Sequence, residues 1–190
     1  AKYAGTVRRY DGAARRAGTW IDFGRGRGDP LPSLTEKGIS FMAVKEEIAA
    51  FAAEMRTWRR DIHAHPETAF EETRTSDIVA EKLESFGLDV HRGLATTGVV
   101  GTLSVGNSNR AIGLRADLDA LDIHEENTFD HVSTHAGKMH ACGHDGHSTM
   151  LLGAAQYLSE TRNFDGTVYF IFQPAEEEGA GAKAMAEDGL

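Results

Sequence analysis

The feature that most constrains the fold is an apolar run near the end of the chain, residues 167–172, which reads Thr-Val-Tyr-Phe-Ile-Phe. β-branched and aromatic residues favour a strand. A run with little polar alternation is typical of a strand that is covered on both faces. The run therefore predicts a strand in the interior of a layered fold.

Helical patterns come before this run. Apolar residues at spacings of three and four predict two helices and then a third one that starts near residues 145–147. Gly87 is well placed to end the second helix in a left-handed conformation. The apolar positions are Ile48, Phe51, Met55, Trp58 and Ile62 in the first helix, Ile78, Val79, Leu83 and Phe86 in the second, and Met150, Leu151, Ala154, Ala155 and Leu158 in the third.

Strand-like segments lie at residues 88–91, 99–105 and 111–114, between the second and third predicted helices, and the run at residues 167–172 follows the third helix. Alternation of helices and strands is the pattern of an α/β fold. We therefore predict an α/β class with a largely parallel sheet flanked by helices.

Residues 1–41 differ in composition from the rest of the chain. They hold eight Lys or Arg against four Asp or Glu, and residues 23–30 contain Gly and Pro where a helix or strand would need side chains. We expect residues 1–41 to be a disordered leader and residues 42–190 to form one domain. A Gly-Arg nucleic-acid tail or an adhesive Arg27-Gly28-Asp29 segment is the alternative for the leader.

Composition limits the partners and the compartment. A formal net charge of −9 argues against nucleic acid, because phosphate binding needs a basic surface. The single cysteine excludes an internal disulfide and favours a reducing compartment. No stretch approaches the ~20 apolar residues of a membrane span, and the start lacks the apolar region of a signal peptide. We expect a cytoplasmic protein with no membrane or nucleic-acid partner.

A segment rich in metal-binding side chains falls in a loop between predicted elements. It contains His140, Cys142, His144 and His147 within eight residues, with two glycines that let the backbone wrap. Thiolate and imidazole suit zinc, cobalt, nickel or manganese better than calcium or magnesium. The segment predicts a metal site. A nucleophilic Cys142 with a histidine base is the alternative, but it does not explain the acidic pairs nearby.

Two acidic pairs lie at the ends of predicted strands, where ligands bind in open α/β sheets. Adjacent side chains in extended backbone point in opposite directions. Of Glu176 and Glu177, one could therefore bind a metal while the other acts as a general base. Glu178 is a third acid, and spacing alone does not decide which two of the three glutamates serve as metal ligand and general base. Asp117 and Asp119 share a face of the predicted strand. One of them could orient a histidine ligand, or the pair could simply cap the end of the strand.

Together these segments resemble the aminoacylase-like metallopeptidase family. They are most similar to its amidohydrolase branch, which contains hippurate hydrolase, bacterial N-acyl-amino-acid amidohydrolases and plant auxin-conjugate hydrolases. The resemblance runs from about Met42 to the end of the chain. The motifs that carry it are residues 58–67 (Trp-Arg-Arg-Asp-Ile-His-Ala-His-Pro-Glu), 114–121 (Leu-Arg-Ala-Asp-Leu-Asp-Ala-Leu), 139–147 (Met-His-Ala-Cys-Gly-His-Asp-Gly-His), 150–155, 172–177 (Phe-Gln-Pro-Ala-Glu-Glu) and 187–190.

The resemblance implies roles for particular residues. It makes residues 42–190 the N-terminal portion of a zinc-peptidase-like catalytic domain. Cys142, His144 and Glu177 match metal ligands, Glu176 the general base, and Asp119 the aspartate that orients the site. The resemblance also implies two divalent metal ions (Mn, Zn, Co or Ni), a small N-acyl or N-aroyl amino acid such as hippurate as the substrate, and a homo-oligomer when the protein is full length.

The chain departs from the family pattern in three ways. Asp122 stands where the branch usually has Pro, and Glu178 is an additional acid. The family supplies two more histidine ligands and a small lid or dimerisation domain beyond the position of Leu190. We therefore expect the full-length protein to be a metal-dependent amidohydrolase acting on linear amides, and the 190-residue chain alone to be inactive. Asp117, Asp119, His140 and His147 are nearby substitutes for the missing ligands, and a non-catalytic metal-binding fragment is the alternative.

Overall fold

A computed structural model of the chain describes residues 45–190. The leader predicted for residues 1–41 lies outside the described residues. The helices are α1 Glu46–Ala49, α2 Ala52–Ala64, α3 Thr73–Ser85, α4 His144–Thr161 and α5 Gly181–Glu187. The strands are β1 Asp89–Leu94, β2 Gly98–Val105, β3 Ala111–Asp117 and β4 Gly166–Gln173.

The first predicted helix is wrong in one respect, because its apolar residues are divided between two helices. Ile48 lies in α1, Phe51 precedes α2 as its N-cap residue, and Met55, Trp58 and Ile62 lie in α2. The Phe51 N–H donates to the carbonyl of Ile48, three residues back, so the regular helical ladder is interrupted there (3.1 Å). The second predicted helix, α3, ends as expected. Gly87 follows it with φ +81°, and the Leu88 N–H bonds back to the Leu83 carbonyl (3.1 Å).

The four strands form one sheet in the order β1-β2-β4-β3. The α/β class with flanking helices is confirmed. The predicted largely parallel sheet is wrong, because β1–β2 and β2–β4 are antiparallel and only β3–β4 is parallel. Only three residues separate β1 from β2, and so short a connection joins antiparallel neighbours. The sheet is therefore mixed.

The two faces of β4 differ in their environment. Val168, Phe170 and Phe172 are buried in the main core, which α2, α3 and α4 share with the sheet. On the opposite face Tyr169 is 40% exposed, while Ile171 packs with the buried Met185 of α5. The prediction of a strand covered on both faces is thus wrong at Tyr169, because the packing on that side leaves its side chain partly exposed.

The parallel pair β3–β4 brings the candidate site together. Asp117, the last residue of β3, lies opposite Gln173, the last residue of β4. The Leu118 N–H continues the pairing by donating to the Gln173 carbonyl (2.9 Å). Because the carboxyl ends of parallel strands meet at one edge, the chain segments that follow β3 and β4 are neighbours at that edge.

Candidate metal centre

The His/Cys segment is anchored at both of its ends. Leu121 and Met139 form an isolated antiparallel bridge through two hydrogen bonds of 3.0 Å. Gly143 has φ +88° and is the N-cap residue of α4, so the chain turns there in a conformation that favours glycine. His144 is therefore the first residue of α4 and faces the ends of β3 and β4.

His144 has the tautomer that a metal ligand needs. Its ring is almost fully buried, and its Nδ1 lies 2.8 Å from the backbone carbonyl of Asp119 and 3.1 Å from its Oδ1. Both partners are acceptors, so Nδ1 carries a proton, and Nε2 is the nitrogen that can bind a metal when the ring is neutral. Burial alone would lower the pKa of His144, but hydrogen bonds to Asp119 and the charges of Asp117 and Asp119 outweigh it and raise the pKa.

Three carboxylates surround Nε2 of His144. The nearest oxygens are 3.8 Å away for Glu177, 3.9 Å for Glu176 and 4.0 Å for Asp117. Oxygens that converge on an imidazole nitrogen without touching it leave a space of the size that a coordinated cation fills.

The predicted ligands come together. One ligand atom from each of Cys142, His144 and Glu177 lies within 4.8 Å of the others. A sulfur, a nitrogen and a carboxylate oxygen are the donor set that zinc and similar divalent ions accept. The residues present therefore fit a borderline divalent cation, with Cys142 on the exposed side of the group.

The environment of Cys142 does not suit a nucleophile. Its hydrogen bond to Glu177, some loss of hydration and the charges of Glu177 and Glu176 raise the pKa of the thiol to about 11. A reactive cysteine needs a positive neighbour that lowers its pKa. The alternative of a nucleophilic Cys142 is disfavoured by this geometry.

A second group of potential ligands shares His144 with the first. One ligand atom from each of Asp117, His144 and His147 also lies within 4.8 Å of the others. Nδ1 of His147 is 3.4 Å from Oδ2 of Asp117, and the other oxygen of Asp117 pairs with Arg115. Asp117 and His147 were expected as nearby substitutes for the missing ligands, and the structure places both beside the predicted ligands.

Asp119 connects the two sides of the site. Its carboxylate accepts from the His144 ring and, through Oδ2, from the Glu177 N–H (2.9 Å). Burial alone would raise the pKa of Asp119, but these hydrogen bonds and one from the Glu176 N–H lower it. The carboxylate is therefore held ionised between a predicted ligand and the predicted acidic pair.

The acidic pair does not have the extended backbone expected from sequence. Pro174 follows β4, and Ala175 has φ +49°, which bends the chain into a turn over residues 176–179. Glu176 and Glu177 consequently point to the same side and approach the same nitrogen of His144. The prediction that they point in opposite directions is wrong. Glu178 is exposed and belongs to neither ligand group among the described residues.

His140 stays outside both ligand groups. It is 3% exposed, and neither ring nitrogen has a hydrogen-bond partner within residues 45–190. Burial lowers its pKa to about 4, so the ring is neutral at pH 7. Its neighbour His63 belongs to a buried network that sequence reasoning missed, in which Nδ1 contacts Asp145 (2.9 Å) and Nε2 contacts Glu125 (3.0 Å). The only sequence signal for His63 is its position in the motif at residues 58–67.

The mixed α/β domain, with its candidate ligands at the carboxyl ends of β3 and β4, is of the metallopeptidase type. Residues 113–190 match the family described as Peptidase family M20/M25/M40. The resemblance to this family that the motifs predict is confirmed by the match.

Similar proteins support the same family. Hippurate hydrolase of Campylobacter jejuni is 50% identical over 144 residues, which are 76% of this chain and 37% of that protein. The N-acyl-L-amino acid amidohydrolase of Geobacillus stearothermophilus is 46% identical over 153 residues, 77% of this chain and 41% of that protein. The chain thus spans about two fifths of the length of these relatives.

A solved structure has the same fold. The Bacillus subtilis YXEP protein, described as a dinuclear metal binding peptidase from the M20 family, is 39% identical with a TM-score of 0.71. The similarity covers 74% of this chain and 40% of that one. Within residues 45–190, no helix combines the length and apolar character needed to cross a membrane.

Proposed function

We propose that the full-length protein is a metal-dependent amidohydrolase that cleaves the amide bond of N-acyl or N-aroyl amino acids. The observation that carries this proposal is the meeting of Cys142, His144 and Glu177, with the Glu176 carboxylate 3.9 Å from Nε2 of the same histidine. The ligand set and a candidate base thus share one small space. The names of the relatives from Campylobacter jejuni and Geobacillus stearothermophilus favour hippurate-like substrates.

In this proposal Cys142, His144 and Glu177 hold the metal, and Asp119 orients His144. Two divalent ions (Mn, Zn, Co or Ni), when bound there, would polarise the amide carbonyl and lower the pKa of a water to about 7. The Bacillus subtilis YXEP protein, described as a dinuclear metal binding peptidase, supports the proposal of two ions.

Glu176 is the proposed general base. It removes a proton from the attacking water as the oxygen bonds to the amide carbon. It then delivers that proton to the amide nitrogen as the carbon–nitrogen bond breaks, which releases a carboxylic acid and an amino acid. Partial exposure of the Glu176 side chain, 42%, leaves it accessible to water and substrate.

The proposal includes a small-molecule N-acyl amino acid as the partner, a cytoplasmic location and a homo-oligomer. The acidic formal charge of −9 supports the absence of a nucleic-acid partner. The reduced state that a thiol ligand needs supports a cytoplasmic location.

A metal-replacement assay on the full-length protein tests the function. The protein is stripped with a chelator and reloaded separately with manganese, cobalt, zinc or nickel, and release of glycine from hippurate is measured. We expect no turnover after stripping and recovery with at least one ion. A protein that binds these ions but hydrolyses neither hippurate nor N-acetyl amino acids would instead be a non-catalytic metal-binding protein.

A further inference from the structure

The turn that carries Glu176 and Glu177 has an unusual backbone. Ala175 is fully buried and has φ +49°, a left-handed conformation that residues other than glycine rarely adopt. Its carbonyl accepts from the N–H groups of Ala180 and Gly181 at 3.3 and 3.1 Å. The direction of both glutamate side chains depends on this one residue, because it precedes them directly.

A buried carboxylate from a distant part of the chain holds this residue. The Ala175 N–H donates to Oε1 of Glu72 at 2.9 Å, across 103 residues of sequence. Oε2 of Glu72 accepts from the hydroxyl of Thr97 at 2.7 Å, which fixes the plane of the carboxylate. Glu72 is 0% exposed and is the N-cap residue of α3, where the positive end of the helix favours a negative charge.

The turn is thereby held from two sides. Glu72 accepts from Ala175 before the acidic pair, and Asp119 accepts from the Glu177 N–H within it. Asp119 also reaches His144, whereas the side-chain hydrogen bonds of Glu72 go to Ala175 and Thr97. The hydrogen bond through which Glu72 reaches the site is thus the one to the backbone of the turn.

We propose that Glu72 is a positioning residue for the metal centre, which fixes the left-handed Ala175 and so sets where the carboxylates of Glu176 and Glu177 lie. This inference rests on the proposed function for the roles of these two glutamates. Nothing in the sequence motif itself assigns a role to Glu72.

The cost of burying Glu72 supports a positioning role. Burial raises its pKa, and the charge of Asp119 raises it further, while the hydrogen bonds from Thr97 and Ala175 act in the opposite direction. An apolar side chain would avoid this cost of desolvation. The ionised carboxylate carries this desolvation cost while its hydrogen bonds to Thr97 and Ala175 fix the turn.

Metal affinity of the full-length protein tests the proposal independently of turnover. The probe is cobalt(II), whose visible spectrum reports ligand geometry and whose dissociation constant is measured by competition with a chelator. Glu72→Ala removes the acceptor, and Glu72→Asp retracts it by one methylene. We expect both variants to bind cobalt about 10–100-fold more weakly, as for other residues that orient metal ligands, and to show an altered spectrum. Glu72→Gln keeps an oxygen acceptor for Ala175 and should retain most of the affinity.

Glu67→Ala is the matched control. The Glu67 carboxylate accepts from Arg74 N–H, Thr75 N–H and the Thr75 hydroxyl, at the same end of α3 but away from the turn. Glu67→Ala should lower the free energy of unfolding without weakening cobalt binding. Once loaded at saturating metal, Glu72→Asp should lower kcat more than it raises KM, because a displaced Glu176 impairs the proton transfer rather than substrate binding.

The outcomes separate the two proposals. Folded Glu72→Ala or Glu72→Asp protein that binds cobalt as tightly as the wild type would overturn the positioning role. A loss of affinity in Glu67→Ala as large as that in Glu72→Ala would also overturn it. If Glu72→Ala does not fold, the cobalt affinities of Glu72→Asp and Glu72→Gln are compared instead. The positioning role predicts weaker binding by Glu72→Asp than by Glu72→Gln. Tight cobalt binding by the wild type without amide hydrolysis would overturn the proposed function alone, and absence of cobalt binding by the wild type would overturn both.

Discussion

Negative charge dominates the surroundings of the individual side chains at the site. Glu177 and Glu176 raise the pKa of Cys142, and Asp117 and Asp119 help to raise that of His144. Both shifts favour the protonated side chain, and a divalent cation in the same space would replace those protons. The charge of the site thus matches a cation rather than an anionic nucleophile.

Replacement of Cys142 distinguishes a metal ligand from a nucleophile. In the full-length protein we expect Cys142→Asp to keep partial metal-dependent activity, because carboxylate can replace thiolate at a borderline ion. Cys142→Ala, which offers no ligand, should lose more metal and more activity. Metal content and hippurate hydrolysis are measured for both variants. Full activity after exhaustive chelation of the wild type would contradict the ligand role.

Glu72 predicts a specific pH dependence of stability. Its pKa in the folded protein lies above the ordinary value of 4.5, so its ionisation destabilises the fold. The contribution of protonated Glu72 to the free energy of unfolding is fully present below the pKa of the unfolded state. This contribution is lost as the pH rises through the pKa of the folded state. Glu72→Gln does not ionise, so its free energy of unfolding relative to the wild type should increase between pH 4 and 8. Urea unfolding of both metal-free proteins gives this difference, and a constant or decreasing difference would refute the expected linkage.

At the scale of elements, α5 limits the position of the acidic turn. A Cβ at Gly181, its first residue, would lie 1.6 Å from the carbonyl oxygen of Pro174. This neighbour is backbone and cannot rotate away, so α5 or the turn would have to move. The close approach of α5 therefore requires glycine at this position.

Gly181→Ala should consequently destabilise the protein by about 1–3 kcal/mol, the usual cost of overpacking. Gly146→Ala in α4 is the control, because a Cβ there meets only the Arg59 side chain at an ordinary 3.8 Å. It should be neutral or stabilise the helix by about 0.5–1 kcal/mol. Urea unfolding measures both changes, and equal stabilities of the two variants would show that the turn adapts easily.

Local patterns predicted the elements better than their pairing. Helical spacing predicted α2, α3 and α4. Gly87 predicted the end of α3, because the end of a helix at a left-handed glycine depends on the local backbone alone. The break at Phe51 was missed because its apolar side chain keeps the helical period through the interruption. The mixed sheet was missed because an alternating order of elements does not distinguish a hairpin, as in β1–β2, from a crossover, as in β3–β4.

At the scale of the whole molecule, the site combines segments that are distant in sequence. Cys142, His144, Glu176 and Glu177 could be predicted as site residues from the sequence because they lie in short motifs. Glu72 was missed because its bond to Ala175 spans 103 residues and leaves no local pattern. The direction of the acidic pair was wrong for a related reason, since the bend at Ala175 depends on that distant contact.

Metal binding should stabilise the full-length protein, because the ligands come from separate segments that only the fold brings together. At a free metal concentration of 100 times the dissociation constant, linkage predicts about 2.7 kcal/mol of added stability. Urea unfolding with and without chelator measures this effect. His144→Ala should abolish most of the difference, and an equal response in wild type and His144→Ala would place the bound metal elsewhere.

The most direct test of the central claim compares Glu176→Gln with Glu177→Gln in the full-length protein, with metal content and hippurate hydrolysis measured on the same samples. Loss of a general base typically lowers the rate 10²–10⁴-fold. We therefore predict that Glu176→Gln keeps the metal stoichiometry of the wild type but loses turnover to this extent. Glu177→Gln should lose bound metal as well as activity. Equal metal content in both variants, or wild-type turnover by Glu176→Gln, would contradict the division of roles on which the account rests.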